Sequence, residues 1–251
     1  MIKFENIEVI GLEPAVRGMR NPMNSWDRSD SGWKIATDNN DLVYEVGPND
    51  HALMMSLAKG GPVHAKYRRM INVYVDITAP LYWWKEFDTY KVGTVANSCS
   101  TMHKIHAKKF TLDDFSNEHL MRMDALNDES DILDDETDIS IIRCTPYDIF
   151  RLTIDMLNTC RDKYLLSKTK PIKDETKRSE LMKRYWWQMI QLLPSSYNQK
   201  RTVMLNYEVL HNIYHSRKNH KLDEWHVLCD WIRDLPYSEV IIGDEVSEDG
   251  R

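Results

Sequence analysis

The sequence predicts an α+β fold that is mostly helical around a modest antiparallel sheet. Ile71, Val73, Val75 and Ile77 alternate with Asn, Tyr and Asp, which is the two-residue period of a β-strand. Longer segments in the second half of the chain begin with capping residues and place apolar residues at helical spacing. No internal repeat is visible. These patterns together favour helices packed against a small sheet.

The composition fits a globular protein with a sizeable aromatic core. The chain has 251 residues, 42% of them hydrophobic, with eight Trp and twelve Tyr, which argues against disorder throughout. Its net charge of −6 argues against polymeric nucleic acid as a partner. Four scattered cysteines without a C-x-x-C pair indicate reduced thiols. No signal peptide or membrane-length apolar run is visible, so we expect a cytoplasmic protein without a membrane partner.

The first half of the chain contains an alternating run at residues 2–12, which predicts the first strand. Residues 49–61 predict a helix with Asn49 or Asp50 as its cap. The strand described above follows, and then a predicted helix through residues 81–87.

The strongest helix pattern lies at residues 145–166. Thr145 fits the N-cap position and Pro146 fits the first turn. The apolar stripe of this helix is predicted to consist of Ile149, Leu152, Met156 and Cys160. A second helix is predicted at 179–193, then a short strand at 200–205 and two C-terminal helices.

We expect one domain over residues 1–243, with an acidic tail at 244–251. An acidic loop or insertion at about 124–140 interrupts that domain. Its carboxylates between Asp124 and Asp138 could suggest calcium, but the spacing and the Gly of a calcium loop are absent. A solvated acidic loop is therefore favoured.

Local catalytic and metal-binding motifs are absent from the sequence. It contains no P-loop, no G-x-G-x-x-G and no nucleophile-elbow Ser. His211 with His215, and His103 with His106, form two close pairs, but no H-E-x-x-H or neighbouring Cys completes a ligand set. No metal site is predicted.

An Arg-rich stretch is the first candidate binding site. Arg17, Arg20 and Arg28 lie among Asn and Ser residues, and planar guanidinium groups suit phosphate oxygens. The alternative is a polar loop in which these arginines pair with nearby carboxylates, namely Glu13, Asp27 and Asp30.

Polar residues in the C-terminal region form the second candidate site. Asn206, Asn212 and Arg217 accompany an apolar run, and Asn is a mediocre helix former, so a surface that holds a polar ligand is indicated. Two Trp-Trp pairs, at 83–84 and 186–187, could stack on a planar ring. Such pairs within helices are more often core or subunit interface.

Stretches spread over most of the chain resemble the flavin-dependent thymidylate synthases. "AVRGMR" resembles the N-terminal helix of that family, and "HALMMSLAKGGPVHAKYRRMINVYVDITAP" resembles its helix, Gly-rich turn and following strand. "LPSSYNQKRTVMLNYEVLHNIYHSRKNHKLDEW" resembles its C-terminal region. The resemblance implies a homotetramer that binds FAD at subunit junctions. It also implies methylation of dUMP, with methylenetetrahydrofolate and NADPH as co-substrates.

The resemblance also implies site residues. Cofactor contacts are implied at His64, Asn206 and Asn212. Contacts to the substrate are implied at Arg217, which would reach the pyrimidine, and on the phosphate at Lys200 or Arg201. Arg17 and Arg20, in the matching N-terminal helix, are further candidates for substrate binding.

The chain departs from the R-H-R signature of that family. Thr89, Tyr90 and Lys91 stand at R-H-R, and Cys99 stands at the Ser that follows seven residues later. Only Lys91 keeps a positive charge, which makes it the candidate cofactor contact in this segment. Cys99 is either a nucleophile activated by a lowered pKa or, as we favour, a buried inert thiol.

Two hypotheses follow. The chain is either a divergent enzyme of this kind, with Arg217 polarising the base, or a non-catalytic protein that senses or sequesters a nucleotide. In the second case Arg17, Arg20 and Arg28 would grip the phosphate.

Overall fold

The computed structural model describes residues 2–36, 41–122, 144–171 and 174–243. The acidic segment at about 124–140 and the tail at 244–251 lie outside the described residues. Within the described ranges, no helix is both long enough and apolar enough to span a membrane.

The described residues confirm the α+β prediction, with helices around a small sheet. The strands are β1 (Lys3–Ile10), β2 (Gly32–Ile35), β3 (Leu42–Glu45), β4 (Asn72–Pro80), β5 (Thr94–Ser98) and β6 (Asn198–Asn206). The helices are α1 (Leu12–Arg20), α2 (Pro48–Lys59), α3 (Leu81–Phe87), α4 (Thr101–Lys104), α5 (Pro146–Thr169), α6 (Glu175–Leu192), α7 (Tyr207–Arg217), α8 (Asp223–Arg233) and α9 (Glu239–Ile242).

The chain forms two compact units. The first contains Ala79–Trp84 and Cys99–Gln199, and the second contains Ile2–Thr78, Lys85–Ser98 and the chain from Lys200 onward. Each unit has a hydrophobic core of its own residues.

The main sheet has the strand order β1-β4-β6-β5. β1 pairs antiparallel with β4, and β5 pairs antiparallel with β6. Ile71, Val73, Val75 and Ile77 are at most 1% exposed, so the predicted alternation of β4 is confirmed. β2 and β3 form a separate antiparallel hairpin that the sequence patterns did not predict.

The core of the first unit is built around α5 and α6. Its buried members include Ile105, Phe110, Phe115, Phe150, Ile154, Leu157, Cys160 and Met189. Trp83 and Trp84 are also buried, which confirms a core position for that pair. Thr145 caps α5 through a reciprocal pair of hydrogen bonds with Asp148, as its capping position predicted.

The predicted stripe of α5 was wrong at three of its four positions. Ile149, Leu152 and Met156 are 57%, 65% and 48% exposed, whereas Cys160 is buried. The buried stripe instead follows Phe150, Ile154 and Leu157. Both sets have helical spacing, and the large Phe150 side chain lies with the aromatic core, packing edge-on against Phe115, so that face turns inward.

The predicted cap of α2 was also wrong. The helix begins at Pro48 with Gly47 as N-cap, because proline suits the first helical turn. The first backbone N–H groups of the helix have no partner within it, and a side chain distant in the sequence satisfies them. Asp30 accepts hydrogen bonds from the backbone N–H groups of Asn49 and Asp50, at 2.9 and 3.1 Å.

Candidate functional site

A cavity of about 1070 Å³ lies in the second unit, and we call it the α1–α2 cavity. It is bounded by the end of α1, by α2, and by 3₁₀ turns at Asn21–Met23, Trp26–Arg28 and Ala65–Met70. Apolar side chains form much of its wall, including Met19, Met23, Leu53, Leu57, Val63, Tyr67 and Met70. Its size matches the upper end of small-molecule and cofactor sites, about 1,000 Å³.

The charged side chains that line the α1–α2 cavity are basic. Arg20, Arg28 and Lys66 line it together with His64, and none of the described residues that line it is a carboxylate. Arg28 and Lys66 are exposed, and neither forms an ion pair within the part of the chain that the structure describes. This unbalanced positive charge favours an anionic ligand.

Asp50 holds one side of the cavity in place. Its carboxylate is fully buried and accepts hydrogen bonds from the side chains of Arg20, Ser29 and Ser31, at 2.5, 2.7 and 2.6 Å. The N–H groups of Asp30 and Ser31 also donate to it. Burial alone would raise the pKa of Asp50, but the bonds from Ser31, Ser29 and Arg20 outweigh it, so the pKa is lowered. The ionised carboxylate therefore fixes the loop that follows α1.

Arg20 consequently has a partner that the sequence did not indicate. Its Nε lies 2.5 Å from Asp50 Oδ1, and both side chains are almost fully buried. Its Nη1 also donates to the carbonyl oxygen of Ser25 at 3.2 Å. The guanidinium still lines the cavity, but much of its donor capacity serves the fold.

A second polar cluster, also within the second unit, surrounds Arg217 at the end of α7. Its Nε donates to Tyr90 Oη at 2.9 Å, and its Nη1 donates to Glu86 Oε2 at 3.1 Å. The guanidinium carbon lies 4.7 Å from the ring centre of the buried Trp225, a cation–π distance. We call Glu86, Tyr90, Arg217, His220 and Trp225 the Arg217 cluster.

Glu86 is the common acceptor of the Arg217 cluster. Trp225 Nε1 donates to Glu86 Oε2 at 3.0 Å, and His220 Nε2 lies 3.4 Å from the same oxygen. The backbone N–H of Leu222 donates to His220 Nδ1, so a neutral His220 carries its proton on Nε2 and points it at Glu86. The Glu86 side chain is still 36% exposed and that of Arg217 is 20% exposed, so a ligand can reach both.

The predicted phosphate contacts on β6 lie among carboxylates. Lys200 Nζ is 3.1 Å from Glu5 Oε2 and 3.2 Å from Asp76 Oδ2. Arg201 Nη1 is 2.7 Å from Asp88 Oδ1. A phosphate at either residue would have to compete with these carboxylates.

The residues predicted to contact the cofactor do not all line the α1–α2 cavity. His64 lines the α1–α2 cavity. Asn206 is the N-cap of α7, where its Oδ1 accepts the N–H of Val209 at 3.0 Å. Its amide lies against Gly93, where a Cβ atom would be only 2.7 Å from Asn206 Nδ2. Asn212 and Lys91 are exposed and do not line the cavity.

Arg17 and Cys99 also lie apart from the α1–α2 cavity lining. Arg17 is exposed on α1. Cys99 is exposed, so the expected burial of its thiol was wrong. It belongs to the first unit, where its backbone oxygen accepts a hydrogen bond from Gln199 Nε2 at 2.8 Å. Among the predicted residues, the cavity therefore brings together Arg20, Arg28 and His64.

The sequence patterns missed Lys66 and Glu86. Lys66 lies only two residues after His64 in the sequence, so its position near that residue was a usable signal. Glu86 is separated from Arg217 by 131 positions, and no local pattern links two residues so far apart.

Comparisons with known proteins gave similar folds among solved structures. No protein-family model and no curated protein matches the sequence. Thymidylate synthase X (ThyX) from Helicobacter pylori, solved with FAD and dUMP, is 14% identical, with a TM-score of 0.56 and coverage of 96% of each chain. A second structure, of the flavin-dependent thymidylate synthase ThyX from the same organism with FAD and dUMP, is 16% identical, with a TM-score of 0.54. It covers 94% of this chain and 96% of that one.

The UMP/dUMP methylase PolB from Streptomyces cacaoi, bound with 5-Br dUMP, is 13% identical, with a TM-score of 0.52. The match covers 96% of this chain and 94% of PolB. These likenesses extend over nearly the whole chain and confirm the fold that the sequence resemblance implied. The chain has the fold of the flavin-dependent thymidylate synthase ThyX and the UMP/dUMP methylase PolB.

Proposed function

We propose that the chain is a divergent member of the flavin-dependent thymidylate synthase family. It binds FAD and a dUMP-like pyrimidine nucleotide and transfers a one-carbon unit to the pyrimidine. Methylenetetrahydrofolate is the carbon donor, and NADPH is the reductant. The observation that carries the proposal is the α1–α2 cavity, whose described lining consists of basic and apolar side chains with a few neutral polar ones and contains no carboxylate. The likeness to ThyX, which was solved with FAD and dUMP, supports it.

The residues of the cavity fit a flavin dinucleotide. Arg28 and Lys66 provide cations for a diphosphate, while Met19, Leu57 and Tyr67 provide apolar surface for a planar ring. His64 lies at the same cavity. When bound there, FAD would supply hydride-transfer chemistry, which protein side chains cannot provide.

The protein's own contribution to the nucleotide is assigned to Arg217. An Arg side chain has five N–H donors, and Nη2 of Arg217 forms no hydrogen bond with any described residue. Tyr90 and Trp225 hold the guanidinium in one orientation, so this donor is preorganised toward a pyrimidine carbonyl oxygen. Asn212 and Lys91, both exposed, remain candidate cofactor contacts.

The second candidate function is non-catalytic nucleotide binding on the same fold. One observation in its favour is the ion pair between Glu86 and Arg217, which engages the arginine without a ligand. A second is that Thr89 and Cys99 replace residues of the family signature. We further propose a homotetramer in the cytoplasm, which sedimentation velocity and cell fractionation would test.

The visible absorption spectrum tests the flavoenzyme proposal. Purified full-length protein, with and without added FAD, is passed through gel filtration and its flavin absorbance is measured. We expect FAD to remain with the wild-type chain and to be lost from the double variant Arg28→Ala/Lys66→Ala. The control variant Lys109→Ala/Lys168→Ala removes two exposed lysines elsewhere and is expected to retain FAD.

A wild-type chain that stays colourless with FAD would sink the flavoenzyme proposal. A calorimetric titration with dUMP then separates the two functions. Binding of dUMP without FAD would support the non-catalytic alternative. With FAD retained, conversion of dUMP in the presence of methylenetetrahydrofolate and NADPH would support the enzyme.

A further inference from the structure

A second cleft, of about 670 Å³, lies beside the β2–β3 hairpin in the second unit. It is bounded by the end of β1, the start of α1, the hairpin itself, and Pro236 with Tyr237. We call it the hairpin cleft. None of the residues assigned above to a nucleotide or a flavin lines it.

Large apolar side chains of this cleft face solvent. Trp33 is 55% exposed, Leu42 is 64% exposed, Val43 is 44% exposed and Ile10 is 48% exposed, and all four line the cleft. Clustered exposed apolar surface is costly in a free chain and marks binding sites.

The aromatic rings of the hairpin cleft are held in fixed positions. Trp33 and Tyr44 are direct cross-strand neighbours, with ring centres 5.5 Å apart at 74°. Trp33 Nε1 donates to Glu13 Oε2 at 3.2 Å. Tyr237 supplies a third ring, and its hydroxyl accepts the N–H of Val46 at 2.8 Å.

Tyr237 also has a strained backbone, with φ at 55°. This left-handed conformation is unusual for a residue with a large side chain, and such strain persists where the surrounding structure enforces it, often at ligand sites. The hydrogen bond from Val46 is one such constraint, and it holds Tyr237 among the residues that line the cleft.

The charge of the hairpin cleft is negative. Glu13 lines it, and no Lys, Arg or His is among the described residues that line it. Arg17, one turn further along α1, lies outside the lining. A carboxylate beside aromatic faces is the combination that binds organic cations, through ion pairing and cation–π attraction.

We propose that the hairpin cleft binds a small organic cation, an ammonium group that carries apolar substituents. The substituents pack against Leu42 and the indole of Trp33, which lie on the same face of the hairpin. The positive charge faces the aromatic rings and Glu13. This site is independent of the nucleotide function proposed above.

Choline and its uncharged isostere 3,3-dimethylbutan-1-ol are the probes. Binding of each to the full-length protein is measured by saturation-transfer NMR and calorimetry. We expect choline to bind and the isostere to bind at least about tenfold more weakly, because only the charge differs. Glu13→Gln is expected to weaken choline binding by about tenfold, and Trp33→Leu is expected to abolish it.

Matched controls separate the cleft from general surface effects. Glu8→Gln removes an exposed carboxylate of β1 outside the cleft, and Trp26→Leu removes an exposed indole outside it; both are expected to bind choline like wild type. Equal affinity for the two probes would overturn the assignment of a cation. Failure of choline to bind at millimolar concentration would overturn the proposal. If Trp33→Leu then also abolishes self-association, the cleft is a contact between copies of the chain instead.

Discussion

Glu86 Oε2 lies 3.1 Å from Arg217 Nη1, so the arginine assigned to the pyrimidine is held by a carboxylate of its own chain. The same oxygen accepts the indole N–H of Trp225 at 3.0 Å. Because the Glu86 side chain is 36% exposed, water screens this ion pair, and it contributes little to stability. It orients the guanidinium, and it would compete with the nucleotide that we propose binds there.

Arg217→Ala is expected to weaken binding of dUMP by about 10- to 100-fold, the loss of a hydrogen bond from a charged group. A calorimetric titration measures the change. Arg233→Ala, at an exposed arginine of α8 that pairs with Asp230, is the matched control and is expected to bind dUMP like wild type. Unchanged affinity in Arg217→Ala would remove this residue from the site.

Glu86→Gln is expected to strengthen dUMP binding by up to about fivefold, because it removes the competing carboxylate while an amide oxygen can still accept from Trp225. The thermal midpoint is expected to change little. Weaker binding would show instead that the carboxylate itself contacts the ligand.

The buried pair of Arg20 with Asp50 is expected to control stability. Asp50→Ala leaves Arg20 buried without its counter-charge and is expected to cost about 3–5 kcal/mol in the free energy of unfolding. Arg20→Ala is expected to cost less, about 1.5–3 kcal/mol, because Ser29 and Ser31 still donate to Asp50. Urea unfolding measures both.

Asp27→Ala, at an exposed position of the same loop, is the control for these two variants and is expected to leave the urea midpoint within about 0.5 kcal/mol of wild type. Equal midpoints for Asp50→Ala and Asp27→Ala would show that the buried carboxylate does not hold the loop.

Local patterns predicted most of the main elements. The alternation of β4 and the cap of α5 depend on neighbouring residues, so the sequence displays them directly. The hairpin β2–β3 was missed because its strands have only four residues each and its apolar side chains face solvent, so no clear alternation marks them. The N-terminus of α2 was misjudged because the side chain of Asp30, distant in the sequence, accepts hydrogen bonds from the first backbone N–H groups of the helix.

The candidate site was harder to predict than the fold. The Arg-rich stretch remains a predicted binding site, and the sequence could not tell which of its arginines is held by a carboxylate of the fold. Arg20 is buried against Asp50, whereas Arg28 is exposed at the cavity. That division depends on tertiary contacts between α1 and α2, which leave no local signal.

Stability is expected to fall as the pH decreases from about 7.5 to 5.5. Burial lowers the pKa of His211, whose ring contacts the carbonyl oxygen of Ile241 at 2.6 Å, and burial and the charge of His211 lower the pKa of His215. A histidine whose folded pKa is depressed takes up its proton more readily in the unfolded chain. Such a histidine therefore contributes fully to the free energy of unfolding above its ordinary pKa of 6.5. This contribution is lost as the pH falls below that value.

Urea unfolding at several pH values measures the slope of the unfolding free energy against pH. His211→Gln is expected to flatten it, and His226→Gln, at an exposed histidine of α8, is expected to leave it unchanged. A slope that is identical in His211→Gln and wild type would contradict the assignment to this residue.

The corrected stripe of α5 gives the sharpest test of the described core. Leu157 is fully buried and Leu152 is 65% exposed on the same helix, so the same substitution probes both faces. Leu157→Ala is expected to cost about 2–5 kcal/mol, because it removes buried apolar area and leaves a cavity. Leu152→Ala is expected to change the free energy of unfolding by less than about 0.5 kcal/mol in the isolated chain. Urea unfolding at low protein concentration measures both, and a larger loss at Leu152 would show that the originally predicted stripe is the one that packs.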